Sequence, residues 1–406
     1  FCARRPPMIM KTLSSTARTA LVLSAGILAV GPVQAAQTAY QAQMAKDQQA
    51  HPTLAIGSQA PAFDLLGIDG RRHTLDEYRS PILAVVFISN HCPASQLYEG
   101  RIKAIARDYQ DKGVQVVAIA PNGPDVVGPA ALNYTDVDDS FESMKVRAEF
   151  RKFNFPYLYD GETQAVAHQY GPKVTPHIFI FDAERKLRYE GRIDDRMQEA
   201  KSKVSDARNA LDAMLAQKPV AVAHTAVFGC STKWNEHLES AQAEMKEWNA
   251  RPVSVETISL DGLRRLRASA PGKTLMINFW ATWCAPCQTE YPALLETYLW
   301  YRSRDFEFVS VAMQEPAEQA AVLKFLQKQH SAVRNLMLDS DDVYAAMAAF
   351  DPAWESGVPY TIVIAPDGKV LLRQQGEVNK LELRRKILGN LPDAGMFAGN
   401  TEYWNN

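Results

Sequence analysis

The sequence predicts an α/β protein built from two copies of one supersecondary order, and three observations carry that prediction. From residue 54 onward, apolar runs of strand length alternate with helical patterns. The order of those runs in the first half recurs in the second. A proline stands just before a hairpin at the same place in both halves, in Val174-Thr175-Pro176-His177 and in Gly357-Val358-Pro359-Tyr360. Two copies of one order imply two domains of one fold, each with its own core. At 406 residues and 47% apolar composition, the chain has the length and the hydrophobic surface for both.

The first 35 residues read differently. Met8 or Met10 precedes Lys11 and Arg18, then comes an apolar run over 20–30 and Val33-Gln34-Ala35 with small residues at the −3 and −1 places. This is the pattern of a secretory signal peptide cleaved after Ala35, with residues before Met8 as upstream sequence. Its apolar core of about 11 residues falls short of the ~20 a spanning helix needs. No cysteine follows the cleavage point, so no lipid anchor is expected. Cleavage removes four basic residues and no acidic one, which takes the net charge from −2 to −6. Such a product has nothing to attract nucleic acid. It is expected to be periplasmic and soluble, and not membrane-spanning once the signal is gone.

Residues 36–53, polar and rich in Gln and Ala, read as a linker or loose helix. The first domain is expected over 54–234. It offers a buried strand at 81–89 and a helix at 94–112 with Leu97, Ile102, Ile105 and Tyr109 on one face and Gly113 as its stop. A strand at 114–120, a helix at 140–153, a short strand at 157–159 and a short helix at 162–170 follow. A hairpin over 174–190 turns at 182–185, and a helix over 204–216 closes the set. A helical connector, 235–252, leads to the second domain, 253–406. There, after an αβ opening and the turn Pro271-Gly272, the run 275–280 matches 82–87, 306–313 matches 114–120, and 336–339 matches 157–160.

The chemistry concentrates in FWATWCAPCQTEYP, where Cys284 and Cys287 follow the apolar run 274–280 and open a segment that reads as helix. A helix start offers unpaired N–H groups and a partial positive charge, both of which favour a thiolate over a thiol. Cys284 is therefore the expected nucleophile. Cys287, three residues on, lies on the same face and can close onto a mixed disulfide. Besides this pair, the mature chain keeps Cys92 and Cys230, Cys2 being lost with the signal. A zinc site would need a second ligand pair at the right spacing, and a c-type haem would need His where Gln288 stands. No cofactor and no metal are implied, and His73, His168, His177 and His224 read as surface or satisfied core residues.

The second half resembles the TlpA/ResA-like thioredoxins of bacterial envelopes. Trp283-Cys284-Ala285-Pro286-Cys287 at a strand end and Gly357-Val358-Pro359-Tyr360-Thr361 some seventy residues later carry the resemblance. The resemblance implies a thioredoxin fold and a cis peptide before Pro359 that presents the Val358 backbone to an incoming extended chain. It also implies a catalytic set of Cys284, Cys287, Glu290, Pro359, Trp283 and Pro286. Glu290, a turn beyond Cys287, would take that cysteine's proton if partial burial raises its pKa. Asn278 stands where thioredoxins carry a buried Asp, and Pro292 lies inside the helix.

The first half resembles the redoxin, or peroxiredoxin-like, branch of the same superfamily, through NHCPAS (90–95), KGVQVVAIAPN (112–122), FPYLYDGETQAVAHQYG (155–171), VTPHIFIFD (174–182) and GCSTKW (229–234). Together the two resemblances imply tandem thioredoxin-fold domains, each a mixed central sheet flanked by helices, preceded by a signal peptide. In the first domain, Cys92, Ser89, Cys230 and Pro176 form a second set of redox candidates. Ser89-x-x-Cys92 compares with the Thr/Ser-x-x-Cys of peroxiredoxins, but Val85 stands where those carry Pro, and Arg192 is the activating arginine by position alone. Cys92 therefore has three readings: a reactive thiol or peroxidase cysteine, the partner of Cys230, or an inert remnant.

The function expected is an exported thiol:disulfide oxidoreductase of reductase or isomerase type. Its clients would be disulfide-bearing envelope proteins, apocytochrome c among them, and its electron donor a membrane carrier of the DsbD/CcdA type. Two alternatives stand beside it. One is a thiol peroxidase with antioxidant activity, in which Cys92 is recycled by the second domain; the other makes the first domain a redox-silent client-binding module.

Overall fold

The computed structural model describes residues 32–268 and 272–391. The expected signal segment and the Pro271 end of the expected turn lie, for the most part, outside the described residues. The segment expected as linker or loose helix is helical: α1 spans Pro32–Ala50.

From Lys46 onward the described chain contains two sheets of like order. The first domain supplies β1 (Asp64–Gly67), β2 (Arg72–Thr74), β3 (Ile82–Phe87), α2 (Pro93–Tyr109), β4 (Val114–Ala120), α3 (Phe141–Arg151), β5 (Tyr157–Tyr159) and α4 (Ala165–Tyr170). It continues with β6 (Val174–Thr175), β7 (His177–Phe181), β8 (Leu187–Gly191), α5 (Asp206–Leu215) and β9 (Cys230–Ser231). After α6 (Leu238–Asn249), the second domain supplies β10 (Glu256–Ile258), α7 (Leu260–Ala268), β11 (Thr274–Trp280), α8 (Ala285–Tyr301), β12 (Phe306–Ala312), α9 (Gln319–Lys328) and β13 (Arg334–Leu338). Last come α10 (Val343–Phe350), β14 (Tyr360–Ile364), β15 (Val370–Gln375) and α11 (Lys380–Leu388).

The first sheet runs β2-β1-β5-β4-β3-β7-β8 and the second β10-β13-β12-β11-β14-β15. Their shared core is the same: three parallel strands, then two antiparallel ones beyond the strand that leads to the thiol helix. Register agrees as well, since Phe87 faces His177 and Phe279 faces Tyr360, each the residue after the matched proline.

That β3, and β11 apart from Thr274 and Asn278, are apolar throughout follows from their place at mid-sheet, covered on both faces. Ile82, Ala84 and Val86 pack under α2, α3 and α5, while Leu83, Val85 and Phe87 pack under α4. In the second domain Met276 and Trp280 meet α8, α9 and α11, and Leu275, Ile277 and Phe279 meet α7 and α10. Each such fully buried Val, Leu, Ile or Phe side chain stabilises by roughly 1.5–3 kcal/mol relative to exposure.

Four local expectations are corrected. The buried face of α2 runs through Tyr98, Ile102, Ile105 and Tyr109; Leu97 is only half-buried, because Tyr98 carries its hydroxyl inward to Asp194 at 2.8 Å. That helix ends at Tyr109, three residues early, and a single 3-10 turn reaches Gly113, whose φ of +84° suits glycine. The short helix expected from 162 begins at Ala165, after Gln164 at φ +55°, and Asp160 accepts the Val166 and Ala167 amides at its start. The hairpin expected over 174–190 comprises β7 and β8 alone. Val174 and Thr175 leave that sheet and pair with the tail strand β9, opposite Ser231 and Cys230.

The two domains share a polar seam at the C-terminal end of α8. Tyr301 Oη donates to the Thr135 carbonyl at 2.7 Å, and Arg304 donates to the Asn133 carbonyl at 2.7 Å while lying over the Tyr134 ring. Arg385 of α11 reaches Asp136 at 2.7 Å, and Asp136 also holds Arg147 at 3.1 Å. Val126, Val127 and Leu132 add an apolar edge that joins the cluster around α8.

Candidate redox sites

Both thiol helices begin with a cysteine as cap. Cys284 is extended, with its sulfur accepting the Cys287 amide at 3.3 Å, and Pro286 sits in the first turn where no N–H is needed. Cys92 does the same at the start of α2, accepting the Ser95 amide at 3.4 Å with Pro93 following. A sulfur in this position meets the helix N-terminus, which stabilises its thiolate.

In the second domain Cys284 and Cys287 are joined as a disulfide with Cα atoms 5.3 Å apart. Cys284 retains 5% exposure and Cys287 none, so an outside partner reaches Cys284 first. Trp283 beside it is 67% exposed. Across the site the Val358–Pro359 peptide is cis, and the Cys284 sulfur lies 3.7 Å from the Val358 carbonyl oxygen. Trp354 Nε1 donates to the Gly357 carbonyl at 2.9 Å, and Gln375 Nε2 donates to the Gly357 and Pro359 carbonyls, which holds this shoulder in place. Trp354 stacks on Tyr360 at 4.5 Å, and Tyr360 Oη donates to Asp351. Sequence reading missed Trp354 and Gln375, since neither has any fixed spacing from the cysteines.

Glu290 is buried behind the pair, on the same helix face one turn beyond Cys287. Burial pushes its pKa up to about 7, against the opposing pull of the Val378 amide and the Asn278 side chain. Asn278 Nδ2 donates to Glu290 Oε1 and to Thr361 Oγ1, both at 2.9 Å, and the Val378 amide donates to Glu290 Oε2 at 2.9 Å. The polar residue in mid-strand therefore serves to orient the carboxylate. Pro292 lies inside α8.

In the first domain Cys92 is fully buried. The Thr175–Pro176 peptide is cis, and the Cys92 thiol donates to the Thr175 carbonyl at 3.0 Å. In the β6–β9 pairing Cys230 lies opposite Thr175, the residue whose carbonyl accepts the Cys92 thiol. Burial works to raise the Cys92 pKa, but the neighbouring Cys230 thiol, His91, Thr175 and the Ser95 amide outweigh it and hold it below the ordinary thiol range. The neighbouring Cys92 sulfur, with burial, raises the pKa of Cys230. His91 is itself held by Asp139, its Nδ1 lying 2.6 Å from Oδ2.

The Ser89 hydroxyl bonds to Thr175 Oγ1 at 2.8 Å, and it is Thr175 that touches the Cys92 sulfur. Arg192 pairs with Asp206 at 2.8 Å. In helix register the counterpart of Cys287 is Ser95, which follows Cys92 at the same interval, so the second sulfur of the first domain comes from the tail.

The histidines are more clustered than their spacing suggests. His177 and His224 both bond to Glu190, and His73 bonds to Asp69 and Tyr78. His168 packs with His51 around Trp234, and the two, with Glu236, place one ligand-type atom each within 4.8 Å of one another. Among the described residues, no helix is long and apolar enough to cross a membrane.

Comparison with known proteins places residues 56–190 in a match to the AhpC/TSA family and residues 254–388 in a match to the Redoxin family. The thiol-disulfide oxidoreductase ResA of Bacillus subtilis (strain 168) is 33% identical over 111 residues, which cover 27% of this chain and 58% of that protein. An uncharacterized conserved protein from Geobacillus kaustophilus, known from its crystal structure, is 37% identical, with a TM-score of 0.41 over 45% of this chain and 94% of its own. A thiol:disulfide interchange protein of the thioredoxin family from Chlorobium tepidum TLS is 27% identical, with a TM-score of 0.26 over 30% of this chain and 83% of its own. The chain thus spans little more than half the length of the B. subtilis protein.

Proposed function

We propose that this chain, whose residues 56–190 match the AhpC/TSA family and whose residues 254–388 match the Redoxin family, is a thiol-disulfide oxidoreductase working through Cys284 and Cys287. The observation that carries the reading is the capping position of Cys284, bonded to Cys287 and 3.7 Å from the Val358 carbonyl beside cis-Pro359.

In the reduced protein the Cys284 thiolate attacks a client disulfide, breaking the client S–S bond and forming a mixed disulfide. The client lies extended along Val358, with the exposed Trp283 against its flank. Glu290, as carboxylate, takes the proton of Cys287. The resulting thiolate displaces the client from Cys284, and the client leaves as a dithiol while the protein keeps the disulfide seen here. A pKa of about 7 lets Glu290 accept this proton near neutrality and return it when the pair is reduced again.

The N-terminal signal pattern supports export to the periplasm. In that oxidising compartment a reductase or isomerase needs continual reduction, for which a membrane donor of the DsbD/CcdA type is the fitting partner. Disulfide-bearing envelope proteins, such as apocytochrome c, are the fitting clients.

Trapping tests the reading. Cys287→Ser in the full chain is expected to retain clients covalently on Cys284, identifiable by mass spectrometry after non-reducing separation. Equal trapping on Cys287 by Cys284→Ser would overturn the assignment of roles.

A further inference from the structure

Cys92 and Cys230 lie outside the reaction just described, yet their setting is built with care. The tail strand β9 is only two residues long, and it pairs antiparallel with the two residues that precede cis-Pro176. This is the shoulder equivalent to the one that, on the reading above, receives the client in the second domain. The pairing sets Cys230 opposite Thr175, whose carbonyl accepts the Cys92 thiol at 3.0 Å.

Close approach of the tail depends on the residue before Cys230. A Cβ on Gly229 would lie 2.2 Å from the Thr175 carbonyl oxygen, so only glycine lets the strand seat there. Further along, the Thr232 hydroxyl donates to the Pro172 carbonyl at 2.6 Å, the Lys233 amide donates to Asn122, and Trp234 is buried against the core. The tail is thus held on both sides of the cysteine.

We propose that Cys230 is the built-in partner of Cys92: the tail occupies the cis-proline shoulder as a tethered client would, and its cysteine closes a disulfide with Cys92, giving the first domain a dithiol–disulfide centre of its own. The reaction partner is a small disulfide of the glutathione class, since Cys92 is sealed beneath the tail and Cys230 is only half-buried. In the balanced step, the small disulfide's S–S bond breaks and the Cys92–Cys230 bond forms. Both thiol hydrogens and the electron pair leave with two molecules of small thiol. The half-buried Cys230 meets the small disulfide first and releases one small thiol, and the Cys92 sulfur then attacks Cys230 and releases the second.

The second domain is not placed to serve as that partner. Gln96 and Asn90, beside Cys92, are bonded to the Tyr134 and Asp138 carbonyls, and residues 133–136 dock at the C-terminal end of α8. Cys284 caps the other end, ~25 Å away at 1.5 Å per residue.

The test uses the full chain with Cys284→Ala and Cys287→Ala, equilibrated with mixtures of reduced and oxidised glutathione, acid-quenched, alkylated and mapped by peptide mass spectrometry. The expected product is a Cys92–Cys230 link without retained glutathione; added Cys92→Ser is expected to leave glutathione on Cys230, and added Cys230→Ser to leave Cys92 unmodified beneath the tail. Gly229→Ala is expected to speed alkylation of reduced Cys92 by about tenfold, the equivalent of ~1.4 kcal/mol of lost tail docking. Free thiols at every glutathione ratio, lasting glutathione adducts with both cysteines present, or unchanged alkylation in Gly229→Ala would overturn the proposal. Insulin reduction by the intact chain reports on Cys284 and Cys287 separately, so a failure there leaves this result standing.

Discussion

Cys92 and Cys284 cap the same end of the same helix in two copies of one fold, and each sits beside a cis-proline. Around Cys284 the second sulfur comes from the helix itself, a carboxylate waits behind it, and the shoulder at Val358 is half-buried with an exposed tryptophan beside it. Around Cys92 the helix offers Ser95, the place of Glu290 is taken by Tyr98, and the place of Asn278 by Val86. The shoulder there carries the chain's own tail. The difference teaches that a thioredoxin-like thiol is defined less by its capping geometry, which both domains keep, than by what lies on the cis-proline shoulder and where the second sulfur originates.

The largest expected break in the comparison is between the two cysteines themselves. Cys284→Ser should abolish insulin reduction, whereas Cys92→Ser should leave its rate within about twofold, because the two centres lie at opposite ends of α8. Comparable loss from both would mean that electrons pass through the first domain.

Next comes the seam that keeps the two centres apart. Asp136 is fully buried between Arg147 and Arg385, so Asp136→Ala removes the carboxylate that holds Arg385 and leaves the buried Arg147 to share Glu99 with Arg151. A loss of about 3–5 kcal/mol in urea unfolding is expected. A loss of a few tenths would show that the domains hold together by their apolar edge alone.

Glu290→Gln sharpens the comparison by making the second domain more like the first in its proton chemistry. Release of a trapped mixed disulfide should slow by about a hundredfold at pH 8, and its rise with pH through about 7 should flatten. The sign for stability is opposite. A carboxyl whose pKa is raised on folding stabilises in its protonated form, so its contribution is full below the ordinary glutamate range and is lost as pH rises through about 7. The Gln variant should therefore lose stability less steeply over that window in denaturant midpoints taken at successive pH values.

Trp283→Ala should be the mildest. An exposed aromatic beside the nucleophile costs little stability when truncated, and the expected effect is a several-fold rise in the client KM with kcat nearly unchanged. A fall in kcat instead would move Trp283 from client contact into the chemistry.

What could be read in advance was whatever neighbours in the chain decide. The apolar run 274–280, the Cys284–Cys287 interval and the Glu290 position are set by strand and helix periodicity, and the local backbone realises that periodicity. The repeat of strand order was legible for the same reason, since each copy buries a central strand on both faces and leaves the same continuous apolar run. Tertiary structure alone decided that Cys230 returns to Cys92, that Val174 and Thr175 quit their hairpin for a two-residue tail strand, and that His51, His168 and Glu236 meet around Trp234. Sequence spacing constrains contacts within an element, but contacts between elements far apart in the chain follow from how the sheets and helices pack. A two-residue strand is too short to carry a periodic pattern, so its partner is chosen by the shoulder it fits, not by anything written in its own residues.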